Sequence, residues 1–172
     1  MPRSLADGHT RVSALTTKPA NPAAPTLAEL NAGIHASPHI MSSDFNFGAA
    51  ASDKLNESDL CSDTNAQVST RSNYVAGFSV FRYFDTDGES APTEGDDVFQ
   101  AVKVKGTTLW LYARRTSKKC DEPWEAGDEI FFGAEILTDN PTPPSDMGGY
   151  VKFRIDADVQ EGYPFIEVAA GA

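Results

Sequence analysis

Cysteine, histidine and positive charge are all scarce in this chain. Two cysteines, Cys61 and Cys120, are too few for a disulfide framework or a cysteine-only zinc site. The sequence predicts two free thiols in a reducing compartment. Of the three histidines, His35 and His39 are four apart, but Gly33 and Pro38 argue against the helix that would bring them together. Lys and Arg number 14 against 25 Asp and Glu, a formal net charge of −11. That balance excludes a tight grip on nucleic acid, which comes from neutralising phosphates. It still suits a polymer that slides past an acidic wall without sticking. No apolar run approaches the ~20 residues of a membrane-crossing helix. Leu5 is followed too soon by Asp7 and His9 to be a signal-peptide core, so a soluble product made in the cytoplasm is expected.

Chemistry-bearing motifs are missing as well. The chain has no Gly-x-Gly-x-x-Gly, phosphate loop, His-Glu-x-x-His, Cys-x-x-Cys or Gly-x-Ser-x-Gly pattern. Asp85, Asp87 and Glu89 surround Gly88, but the remaining ligands of a calcium loop are lacking, and the stretch reads as a turn. Asp156 and Asp158 read as the wet end of a strand. The sequence therefore assigns no catalytic residue, no cofactor and no metal site.

What is present falls into two kinds of sequence. Residues 1–66 are rich in Pro, Ala, Ser and Asn. Residues 67–168 carry short aromatic and β-branched runs with period-two spacing, cut by Gly, Asp and Pro. An arm over 1–39 and a single β domain over 40–172 follow as the expected division. Within the arm, Arg11 to Thr17 predicts one short strand. Pro19, Pro22 and Pro25 then forbid a regular element. Thr26 stands three residues before Glu29, the spacing of a capping box, and Leu27 and Leu30 share a helical face. Two turns of helix are not stable alone, so this helix must dock through Leu27, Leu30 and Ile34.

In the β domain, Phe45 and Phe47 share a strand face, and a long loop is expected over about 48–70. Asn73 to Phe84 is the strongest strand signal, with apolar groups on both faces. Pro92 and Thr93 introduce a helix that Thr93 can cap, with Val98, Phe99 and Val102 as its stripe. Leu109 and Leu111 face opposite to Trp110 and Tyr112, and the aromatic side suits either a subunit interface or cover by the 94–104 helix. Arg114, Arg115, Lys118 and Lys119 read as a solvated basic loop or as ion-pair partners of an acidic neighbour. Strands are expected at Glu129–Leu137, Val151–Ile155 and Tyr163–Val168. The sum is about seven strands with one flanking helix: mainly β, an antiparallel sandwich or open barrel with an extended N-terminal arm and a long loop.

Leu5-Ala6-Asp7-Gly8-His9-Thr10-Arg11-Val12, the Pro22 to Ile34 segment with its Pro-Thr-x-x-Glu-Leu-Asn-Ala-Gly pattern, Leu60-Cys61, the Gly106-Thr107-Thr108-Leu109 step and the strand at Val151–Ile155 recur in one order. In that order the chain resembles the major tail, or tail tube, proteins of long-tailed bacteriophages with non-contractile tails, especially those infecting actinobacteria. The resemblance implies a structural virion protein, not an enzyme. It implies hexameric rings stacked head to tail into a tail tube, with arm and loop bridging subunits and rings. The implied partners are further copies of itself, the tape measure protein, tail terminator and tail-tip proteins, and double-stranded DNA in transient, non-specific passage. Assembly in the host cytoplasm and a final place in the virion tail follow. Inter-subunit contact is expected at Leu27, Leu30, Ile34, Phe45, Phe47, Trp110 and Tyr112. Truncating 1–34 is expected to leave a folded core that no longer makes tubes. The rival readings are a tail terminator or head-decoration protein, and a carbohydrate-binding adhesion module using Trp110, Tyr112 and Trp124 as a platform.

Overall fold

The structure, a computed structural model, describes residues 5–64 and 66–171. Strand β1 (Thr10–Leu15) sends alternate side chains to two cores: Val12 and Ala14 to one, Ser13 and Leu15 to the other. Helix α1 (Leu27–Ala32) begins with the expected capping box. Thr26 accepts from the Glu29 N–H at 3.3 Å, and the Glu29 carboxylate accepts from the Thr26 N–H at 2.8 Å. Backbone N–H groups of Ala20 and Thr26 hold the Glu29 carboxyl below its ordinary range. After it come β2 (Ile34–His35), β3 (Asn46–Ala50), β4 (Lys54–Asn56), β5 (Gln67–Ser69) and β6 (Asn73–Phe81). Helix α2 (Asp97–Val102) precedes β7 (Thr108–Arg115), β8 (Glu129–Thr138) and β9 (Lys152–Glu167).

Seven strands form one antiparallel sheet in the order β2-β1-β7-β8-β9-β6-β3, and β4 and β5 pair separately. The long strand β9 joins the two halves. Its start pairs with β6 from Lys152 to Ala157, and from Ala157 onward it pairs with β8. A register shift between Glu135 and Ile136 leaves Gln160 without a partner on β8, and such a bulge bends and twists the strand. The sheet curls until edge strand β3 lies over β8, with the Phe47 and Phe132 rings 4.8 Å apart. It is a curled open sheet, not a closed barrel.

The main core lies inside the curl. It collects Phe47, Phe78, Val80, Leu109, Leu111, Phe132, Ile136 and Ile155, closed by Val98, Phe99 and Val102 of α2. The second core lies on the other face of β1, β7 and β8. There Leu30 of α1 and Trp124 cover Leu15, Trp110, Tyr112 and Ile130. Gly133 is required beneath Tyr112, because a Cβ would stand 2.6 Å from the ring.

Four expectations change. Within the expected arm, β1 does not stand apart: it pairs with β7 over six residues and sits inside the sheet, because its alternation supplies side chains to both cores. Helix α2 starts at Asp97, not at Glu94 behind a Thr93 cap. Gly95, at φ +124°, breaks the chain between a 3₁₀ turn at Pro92–Glu94 and the helix. The two C-terminal strands are one, since Ala157 and Val159 continue the inward parity of Phe153 and Ile155. Asp156 and Asp158 therefore lie in mid-strand. The aromatic face of β7 is covered by α1 and Trp124, while α2 packs on the opposite core.

Candidate assembly surfaces

The loop expected at 48–70 is built instead as a projecting tongue. β3 and β6 form an edge hairpin in which Ala50 is opposite Asn73. The ladder continues outward through the Asp53 N–H to the Arg71 carbonyl at 2.9 Å and the Thr70 N–H to the Asp53 carbonyl at 2.8 Å. β4 and β5 then place Leu55 directly opposite Val68. Leu55, Leu60 and Val68 are all exposed. A two-stranded ribbon is marginal by itself, so an exposed apolar pair on it makes the tongue a candidate contact surface. Sequence reading passed over these residues because each apolar group is isolated among Ser, Asp and Asn; the signal was the pairing, which needs the register.

A second exposed group occupies the other end of β6. The Phe81 and Tyr150 rings meet at 6.0 Å, and the Arg82 N–H donates to the Val151 carbonyl at 2.9 Å. Tyr150, Val151, Met147 and Phe84 are exposed there. Below them the Arg82 guanidinium lies between the Phe84 and Phe99 rings, 4.6 and 4.0 Å from their centroids, and pairs with buried Asp96 at 2.8 Å.

Acids gather on the outer face of β8 and β9. Glu135 is directly opposite Glu161 there; at the end of the ladder, beyond the change of parity between Phe131 and Phe132, Glu129 is opposite Glu167. Like charges opposite each other oppose pairing, so these pairs are kept against a local cost. Asp158 and Asp156 extend the row along β9; Asp156 is met by Arg154 at 3.0 Å, and Arg154 also pairs with Asp44. Burial, the Glu161 carboxylate and nearby Glu135 push the Tyr163 hydroxyl up.

The basic cluster is not one solvated loop. Arg114 is fully buried. It donates to the Asp128 carboxylate at 2.7 Å and to the carbonyls of Pro123, Lys119 and Glu122 at 3.0, 3.0 and 2.9 Å. Lys118 pairs with Asp128 and Glu125 at 2.6 and 2.7 Å. Burial pushes the Asp128 carboxyl up, but Lys118, the Glu125 N–H and Arg114 outweigh it and hold it below the ordinary range. Arg115 bonds Thr10 and lies over the Phe131 ring.

The seven residues expected at subunit contacts are all placed within one chain. Leu30, Phe47, Trp110 and Tyr112 are buried. Leu27 packs half-buried on the second core, and Ile34 and Phe45 on the main core. Tyr112 donates to the Pro22 carbonyl at 3.0 Å, and Trp110 to Glu135 at 3.2 Å. With Trp124 at 1% exposure, the three rings present no platform to a sugar. Among the described residues no cluster of three metal-ligating side chains occurs, and no helix is long and apolar enough to cross a membrane. Cys61 is exposed, Cys120 half-buried, and both are free.

A family model described as phage tail tube protein matches the chain over residues 1–172. No curated protein matches it.

Proposed function

The chain belongs to the phage tail tube protein family, a structural component of the virion tail and not an enzyme family, and we propose that it is the repeating unit of hexameric rings stacked into a hollow tube. The observation that carries this reading is the tongue, a β-ribbon whose Leu55 and Val68, with Leu60 at its tip, stay exposed among the described residues. A head-to-tail stack needs two unlike, complementary ends. The tongue at the Asn73 end of β6 and the Phe84, Tyr150 and Val151 group at the Phe81 end supply them. Free edges at β2 and β3 support ring closure, since pairing them between copies removes the exposed edges that invite uncontrolled association.

The half-buried Leu27, Ile34 and Phe45 remain contact candidates at the rim of that ring. Leu30, Phe47, Trp110 and Tyr112 serve it by holding the subunit in shape. The unpaired acids Asp158 and Glu161 fit a bore that repels phosphates, so that double-stranded DNA passes without counterion-releasing contacts. A tape measure protein inside the growing tube, a tail terminator at one end and tail-tip proteins at the other are the partners this geometry serves, with assembly in the host cytoplasm.

The test is to replace residues 51–72 with an Asn-Gly turn, which the opposition of Ala50 and Asn73 allows. The shortened protein is expected to melt within a few degrees of the full chain and to form no tubes at any concentration at which the full chain forms them. Tubes of normal length from the shortened protein would remove the tongue from the account.

A further inference from the structure

Arg11 is a nearly buried cation with no ion-pair partner among the described residues. It stands on β1 directly opposite Arg114 on β7, and 7% of it is exposed. The two arginines are treated differently. Arg114 has the Asp128 carboxylate as well as three carbonyls. Arg11 receives carbonyls alone, from Cys120 at 2.9 Å and Glu122 at 3.1 Å, and its Nε, like that of Arg114, is buried without a partner. Among the described residues no carboxylate lies within 4.0 Å of its guanidinium. Lys118 shares Asp128 with Arg114 and also pairs with Glu125, so the two nearest paired carboxylates are both engaged by other cations. The exposed Asp121 is near enough to favour the charge of Arg11 but makes no ion pair with it.

Beside this corner, His35 on edge strand β2 has a buried Nε2 without a partner. Burial, then the Arg11 charge, pushes the His35 pKa down. Its ring therefore adds no second positive charge at neutral pH.

A desolvated charge without a partner is costly. The cost is removed when an acceptor arrives during assembly. In a chain of net charge −11 that packs against its own copies, the most abundant acceptor is a carboxylate. We propose that the Arg11 corner, at the β2 edge of the sheet, receives a carboxylate from a second copy of this chain when the tube forms. The proposal rests on the tube reading and adds to it a specific charged contact. Arg11 then has two roles: in the free subunit it holds the 120–122 backbone, and in the tube it becomes half of an ion pair between copies. A desolvated charge-assisted contact of this kind sets dissociation more than encounter.

Cryo-electron microscopy of wild-type tubes, together with assembly of Arg11→Gln and Arg11→Lys, tests this. A carboxylate of another copy is expected within 4 Å of the Arg11 guanidinium. Arg11→Gln is expected to raise the concentration needed for tubes at least about tenfold, and Arg11→Lys less, with both monomers still melting cooperatively but at a lower temperature, because the bonds to the Cys120 and Glu122 carbonyls are weakened. Should Arg11→Gln fail to fold, the wild-type map decides alone. Tubes with no neighbouring carboxylate at Arg11 overturn this proposal and leave the tube reading standing. A wild-type protein that makes no tubes overturns both.

Discussion

Deleting residues 1–33 is expected to abolish folding, not merely assembly. The deletion removes β1, an internal strand whose six residues from Thr10 to Leu15 pair with Arg115 to Trp110. It takes Val12 and Ala14 from the main core and Leu15 and Leu30 from the second. Burying Val12, Leu15 and Leu30 contributes about 2 kcal/mol each, and a domain's whole stability is ~5–15 kcal/mol. The loss also uncovers Trp110, Tyr112 and Trp124 and strips hydrogen-bond partners from the β7 edge, which favours aggregation. The truncated chain should show no cooperative melt and no dispersed amide spectrum. A truncated protein that melts cooperatively near the full-length temperature would restore the arm as a separable, assembly-only segment, as the proline-rich sequence by itself suggests.

Replacing Asp96 with Asn is expected to cost about 3 kcal/mol, a fall of roughly 10 °C in melting temperature for a domain of this size. Asp96 is buried and serves five donors: Arg82 through Nε at 2.8 Å and Nη2 at 3.1 Å, the Tyr83 N–H at 3.0 Å, Ser90 at 2.5 Å and Gln100 at 2.8 Å. The amide loses the charge that Arg82 requires and turns its own N–H₂ toward groups that already donate. The same site sets an acid limit. Burial alone would raise the Asp96 carboxyl, but Arg82, Ser90, the Tyr83 N–H and Gln100 bring it far below its ordinary 3.8. A carboxyl lowered in the folded state contributes stability above its unfolded pKa and loses it as pH falls toward the folded one. The wild type should therefore lose stability progressively below about pH 4, and Asp96→Asn should lose less over that window. Parallel pH curves for the two proteins would contradict this role for Asp96.

Much of the fold was legible wherever a local rule and tertiary packing agree. The capping box at Thr26 and Glu29 survives because its reciprocal bonds close within four residues. The opposed faces of Leu109 and Leu111 against Trp110 and Tyr112 follow from strand period alone. What covers each face does not. Cover of Trp110 by α1 depends on β1 entering the sheet beside β7, a contact about a hundred residues distant in sequence. Which apolar groups the folded chain leaves exposed was hidden for a related reason. Large apolar residues announce themselves in sequence, yet a fold buries those first, so Phe47, Trp110 and Tyr112 were consumed by the monomer. The groups left outside, Leu55, Val68 and Tyr150, sit singly in polar stretches and gain meaning from register. Arg11 was passed over because an arginine in a short strand reads as solvent-facing until its neighbour across the ladder proves to be another arginine.

The central claim is that this subunit, folded as one curled sheet with its tongue free, builds a hollow tube from copies of itself. Imaging of concentrated purified protein by electron microscopy tests it most directly. The account predicts hollow tubes of uniform bore with six-fold end-on views. Solitary particles at every concentration, with and without tail-tip proteins to nucleate growth, would contradict it.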